Sequence, residues 1–269
     1  MAAYELDQRA SLYSSLGWNI AEYLALFAIV LLHEFGHSLA CRQVGGSANE
    51  ITLWPLGGVA FVSPPPRPGA VLWSIAAGPL VNGVLLVLLT LASPFLHGLA
   101  LSASAAHFVW QLWWINLMLL AFNLLPVYPL DGGQILRALL WFVLGRARSL
   151  FVAAIFGVTG GLGLMAYAVR KESYWLGIMA VFLLSRCWQG FREAKNLALL
   201  AQMPRHAGFA CPSCRAQPLQ APVWICPGCQ GQFDTFEHGA VCPGCGISPA
   251  VTGCPECRQA HPYAEWVAR

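Results

Sequence analysis

The sequence predicts an all-α protein that crosses a membrane about five times, followed by a small cysteine-rich domain. Three observations predict it. Of 269 residues, 57% are hydrophobic and 10% charged, with a mean hydropathy of +0.58; an average soluble domain is about a quarter charged. The charges are segregated, with no Asp, Glu, Lys or Arg from residue 68 to residue 130. Eight of the ten cysteines lie beyond residue 210, as four C-x-x-C pairs. A soluble protein of this composition would expose very large apolar patches. The net charge of +3 is too small to argue for a nucleic-acid partner.

A membrane helix needs about 20 mostly apolar residues. The N-terminal residues 1–15 are polar and lack a basic region followed by an apolar stretch, so no cleavable signal peptide is expected. The first helix is predicted over 16–41 and carries His33-Glu34-Phe35-Gly36-His37. Residues 50–66, around Leu56-Gly57-Gly58-Val59, predict a re-entrant extended segment, which is tolerated at membrane depth only under cover of protein or a cavity. The second helix is predicted over 71–92 and the third over 108–125. Trp110, Trp113 and Trp114 of the third read as an interfacial belt. Pro126 and Pro129 interrupt the chain before a short helix over 132–144 that carries Arg137. The fourth and fifth spans are predicted over 150–169 and 174–188, with Gly157, Gly160, Gly161 and Gly163 suggesting close helix packing. Cys41 and Cys187 read as small buried hydrophobes. Lys and Arg near the helix ends favour an outside N-terminus, a cytoplasmic C-terminus and the HEFGH end of the first helix toward the cytoplasm.

HEFGH places two imidazoles on one helical face, four residues apart, with a carboxylate beside them. H-E-x-x-H on a helix is a zinc-site pattern with two His ligands and Glu as general base. A third ligand must come from elsewhere. Asp131, the first charge after the uncharged stretch, is the candidate, because an ionisable group at membrane depth is costly. As a lone feature Asp131 also reads as a helix cap; beside a two-His site that lacks a ligand, ligation is the stronger reading.

Together with Leu56-Gly57-Gly58, Gly78-Pro79-Leu80-Val81-Asn82 and Asn123-x-x-Pro126-x-x-Pro129-Leu130-Asp131-Gly132-Gly133, the HEFGH string resembles the site-2 protease family of intramembrane zinc metalloproteases. The resemblance spans residues 20–145. It implies that His33, His37 and Asp131 bind a catalytic zinc and that Glu34 is the catalytic base. It also implies that Asn82 and Asn123 line the site, and that the segment around Gly57 and Gly58 receives an unwound substrate strand. The implied activity is hydrolysis of a peptide bond in or near a transmembrane segment of a membrane-anchored, often regulatory, protein. Many relatives carry a membrane helix ahead of the HExxH helix. The residues before 16 leave no room for one, a departure that bears on the implied substrate gating and not on the chemistry. Two rivals are an inactive scaffold, against which the intact His33, Glu34, His37 and Asp131 speak, and a zinc-handling protein. The latter would want polar groups along several helices, and residues 68–130 offer no charge.

Cys211/Cys214, Cys226/Cys229, Cys242/Cys245 and Cys254/Cys257 predict a double zinc ribbon over 205–269 that binds two structural zinc ions, after a membrane domain over 1–200. Sequential pairing of the knuckles is the simplest arrangement, with interleaving as an alternative. Four disulfides are disfavoured by the spacing and the expected cytoplasmic side. Trp224, Phe233, Phe236 and Trp266 are expected to form the ribbon core, and His206, His238 and His261 are not needed as ligands. With four Arg and no Lys the ribbons lack a basic stripe, so a protein partner is favoured over nucleic acid.

Overall fold

The structure, a computed structural model, describes residues 16–54, 57–98, 102–257 and 259–267, with the side chains of 53–60 and 95–98 left aside. The chain divides into two compact units at Ala194/Lys195.

In the first unit, helix α1 (Leu16–Gln43) buries Ile29, His33, His37, Ala40 and Cys41, a stripe at helical spacing confined to its C-terminal half. Leu16, Ile20, Tyr23 and Leu24 at the other end are exposed, as a lipid-facing surface would be. The helix stops at Gly45, whose φ of +83° suits glycine. Gly45 N–H bonds to Arg42 O at 3.0 Å and Gly46 N–H to Cys41 O at 2.9 Å, which satisfies the last carbonyls. This sharp end returns the chain along α1 as an antiparallel hairpin, β1 (Ser47–Trp54) and β2 (Gly57–Ser63), with a bulge between Ala48 and Glu50. Both strands pack on α1. The extended segment is therefore a regular hairpin that starts at Ser47. Gly57 and Gly58 pair with Trp54 and Leu53; Leu56 lies outside the described residues.

Helix α2 (Pro68–Gly98) begins with a proline at its first position, where the missing N–H costs nothing. It packs against α1, α3 (Ala103–Asn123) and α4 (Asp131–Leu144), which makes it the centre of the unit. Trp113 Nε1–H, on α3, donates to Thr90 Oγ1 of α2 at 2.9 Å; Trp110 is half exposed and stacks on His107. Only Gly145 separates α4 from α5 (Arg146–Arg170), and α6 (Tyr174–Gln202) follows.

Among the described residues four helices, α1, α2 as far as Pro94, α3 and α5, are long and apolar enough to cross a membrane. The segment read as a fifth span is found as the first half of α6. That helix continues through Arg186, Arg192, Glu193 and Lys195 and is not among the four. The glycines of α5 also divide their tasks. Gly161 admits Leu183 and Leu184 of α6, Gly157 admits Cys187 of α6 together with the loop residue Tyr128, and Gly160 admits the loop residue Val127; a Cβ on Gly163 would meet nothing within 4 Å.

The second unit carries two short hairpins, β3 (Trp224–Ile225) with β4 (Gln232–Phe233) and β5 (Thr252–Gly253) with β6 (Ala260–His261). Trp224 Nε1–H joins them by donating to Gly253 O at 2.8 Å. Trp266, fully buried, sits against Phe236, with ring centroids 5.0 Å apart, in one cluster with Cys211 and Cys254. Phe233 packs with Cys226 and Cys242 in a second cluster. The aromatic residues are thus core. His206 is held by buried Asp234 at 2.9 Å rather than standing free. Truncating Trp266 to Ala should cost about 3–5 kcal/mol. Amide hydrogen exchange on the whole protein should then lose protection across this unit, and unchanged exchange there would contradict the assigned core.

Candidate metal centre

His33 and His37 lie one turn apart on the buried face of α1, both under one tenth exposed. Their partners come from α2. His37 Nδ1–H donates to Ser74 O at 2.9 Å, an oxygen that can only accept. His33 Nδ1 faces Asn82 Oδ1 at 3.2 Å. These bonds fix the tautomers: with Nδ1 carrying the proton in each neutral ring, both Nε2 atoms present lone pairs.

The two Nε2 atoms are 3.1 Å apart, and Asp131 Oδ2 lies 3.0 Å from that of His33 and 3.3 Å from that of His37. Three acceptors in a buried triangle repel one another unless a cation sits among them. Donors bound tetrahedrally to zinc at 2.0–2.1 Å lie about 3.3–3.4 Å apart, so the triangle is close to zinc's own ligand spacing. The donor set fits the ion. Asp131 opens α4, but its carboxylate does not cap that helix, since no side-chain bond caps the N-terminus.

Backbone space decides whether the rings fit. A Cβ on Gly78 would overlap the His37 ring and lie 2.9 Å from His33 Nε2. A Cβ on Gly36 would meet Ala77 O at 2.7 Å, so this glycine lets α1 and α2 approach. Glu34, between the two histidines, is buried. Asn82 is fully buried and serves as the orienting partner of His33. Asn123 is the last residue of α3, half-buried, and makes no hydrogen bond to the triangle among the described residues. Gly57 and Gly58 open β2, where they pair with Trp54 and Leu53 of β1.

Ser74 and Asn116 were not singled out by the sequence pattern. Asn116, fully buried on α3, donates through Nδ2 to Asn82 O at 2.9 Å. The signal was present: an Asn or Ser in an apolar span is a polar group that must find a partner there.

The cysteines form two groups, Cys211/Cys214 with Cys254/Cys257 and Cys226/Cys229 with Cys242/Cys245. The pairing is nested, neither sequential nor interleaved. The inner knuckles close on the β3–β4 hairpin and the outer ones on the Trp266 cluster. Sulfur pairs stand 3.5–3.7 Å apart, far beyond the ~2.05 Å of a disulfide and close to the ~3.8 Å expected around tetrahedral zinc. The N–H groups of Cys229 and Gly228 hold the Cys226 thiol down, to about 6, which favours the metal-binding thiolate.

The sequence profile of peptidase family M50 matches residues 21–101 and 95–167. Zinc metalloprotease MJ0392 of Methanocaldococcus jannaschii is 33% identical over 169 residues, 63% of this chain and 48% of that protein. Stage IV sporulation protein FB of Bacillus subtilis is 28% identical over 194 residues, 69% of this chain and 64% of that protein. The chain therefore spans about half to two thirds of the length of these two relatives. Among solved structures, the site-2 protease from Methanocaldococcus jannaschii superposes with a TM-score of 0.52 at 30% identity, over 71% of this chain and 86% of that one. By its sequence match over more than half its length and by its fold, the chain belongs to peptidase family M50, the site-2 protease family.

Proposed function

We propose that the protein is an intramembrane zinc endopeptidase that cuts a membrane-anchored, regulatory protein in or near its transmembrane segment. The observation that carries this reading is the buried triangle of His33 Nε2, His37 Nε2 and Asp131 Oδ2, with sides of 3.0–3.3 Å, beside a buried Glu34. His33, His37 and Asp131 hold the catalytic ion. A zinc ion in such a site supplies a Lewis acid for a peptide carbonyl and acidifies water at its open position.

The chain's own groups do the rest. Glu34 accepts a proton from the attacking water and delivers it to the leaving amine. Asn82 and the Ser74 carbonyl hold the two rings in the tautomer that leaves Nε2 free. Asn123, eight residues before Asp131, is assigned to the lining of the same site. A substrate helix must unwind before its carbonyls are open to attack. The segment at Gly57 and Gly58 suits an unwound strand, because neither edge of the two-stranded β1–β2 sheet is paired with a further strand among the described residues.

The domains are assigned as a membrane protease over 1–200 and a double ribbon over 205–269, with one catalytic and two structural zinc ions. The Lys and Arg distribution supports a topology with the active site toward the cytoplasm and the ribbons in it. The bilayer is one partner, and a protein ligand of the ribbons is another.

Co-expression with candidate single-span substrates tests the chemistry. Glu34→Gln should lower cleavage by at least about 100-fold; undiminished cleavage would overturn the base assignment. Steric control of the ring pocket has its own test. Gly78→Ala should abolish cleavage, whereas Gly83→Ala, with nothing within 4 Å of its Cβ, should leave it near wild type. Equal activity in the two variants would refute the packing argument.

A further inference from the structure

Helix α6 begins beyond residue 167, where the family match ends, yet it reaches the segment that presents Asp131. Tyr128 lies three residues before Asp131, in a turn closed by Leu130 N–H on Val127 O at 2.9 Å. Its backbone carbonyl accepts a hydrogen bond from the buried Cys187 thiol of α6 at 3.2 Å. Its ring lies over Gly190, where an added Cβ would come within 3.1 Å of Cε1. From α5, a Cβ at Gly157 would meet both Tyr128 O and Cys187 Sγ at 2.5 Å, so this glycine leaves room for the thiol–carbonyl bond. Glycine inside a helix costs about 1 kcal/mol relative to alanine, and here each glycine makes room for the same residue. A second contact is independent of the first. Arg137, six residues after Asp131 and largely buried, reaches Glu193 of α6 at 3.7 Å. Cys187, Gly190 and Glu193 are spaced three apart, on one stretch of helix face.

We propose that α6 is a positioning element of the metal centre. Cys187, Gly190 and Glu193 clamp Tyr128 and Arg137 on either side of Asp131 and so fix where its carboxylate meets the two histidines. These residues touch neither the ion nor the substrate and act only through Asp131. The inference rests on His33, His37 and Asp131 being metal ligands.

The test is cobalt(II) titration of the whole purified protein, with cobalt as the only added metal. A nitrogen–oxygen site gives a weak d–d band at shorter visible wavelength than the intense d–d bands of tetrathiolate cobalt, which also show thiolate charge transfer in the ultraviolet. Gly190→Leu should weaken cobalt binding at the nitrogen–oxygen site by about tenfold or more, the usual scale for losing an outer-shell partner. The thiolate-site bands should stay, and the nitrogen–oxygen band should return at saturating cobalt. Gly163→Leu, whose Cβ meets nothing within 4 Å, should bind as wild type. Should Gly190→Leu lose the band at every concentration, Glu193→Gln decides: several-fold weaker binding supports the clamp, and unchanged binding overturns it. Wild-type affinity in Gly190→Leu, or equal weakening in Gly163→Leu, also overturns the clamp while leaving the metal centre standing. Absence of the shorter-wavelength nitrogen–oxygen band in the wild type, with only thiolate-site bands appearing, would overturn the metal centre and the clamp with it.

Discussion

Three acceptor atoms forced together in a buried place set the terms for the membrane unit. Both histidines have spent their Nδ1 protons on α2, on Ser74 O and Asn82 Oδ1, so neither Nε2 has a proton to offer the other or Asp131. Such a cluster is tolerable only around a positive charge. Most local features serve that arrangement. Gly36 brings α1 against α2, Gly78 leaves space for the rings, and Asn116 ties α3 to the backbone of Asn82. Helix α2 is central because it carries the second partners of both histidines.

The cysteine-bearing unit answers a related problem with different donors. A segment of its size buries little apolar area, and Trp266 with Phe236 is too small a core to order it unaided. Four thiols per cluster, 3.5–3.7 Å between bonded-range pairs, bring metal binding and folding into one event. The softer sulfur sites and the nitrogen–oxygen site draw on different ligand chemistry, so the two units need not compete for the same coordination geometry.

Much of this was legible in the sequence. HEFGH at i and i+4 fixes a helical face, the charge-free stretch fixes the membrane character, and the cost of Asp131 marks it as the missing partner. The four C-x-x-C pairs declared the ribbons. What escaped was contact between distant segments. Ser74 holds His37 through a backbone carbonyl, which no side-chain motif records. Gly157 does bring α5 against Cys187 of α6, but it also makes room for Tyr128, and the space that Gly160 leaves is taken by Val127 of the loop. The nested cysteine pairing brings the first and last knuckles together across the whole segment, and spacing alone is equally compatible with sequential order. The apolar start and the charges of the second half of α6 are both readable in the sequence, whereas its grip on Tyr128 appears only in the fold.

The most direct measurement is anomalous X-ray diffraction at the zinc edge on the purified full chain. The account predicts a peak bound by His33 Nε2, His37 Nε2 and Asp131 Oδ2 at about 2.0–2.1 Å. Density showing those three groups bridged only by protons or water, with zinc confined to the cysteine clusters, would contradict it.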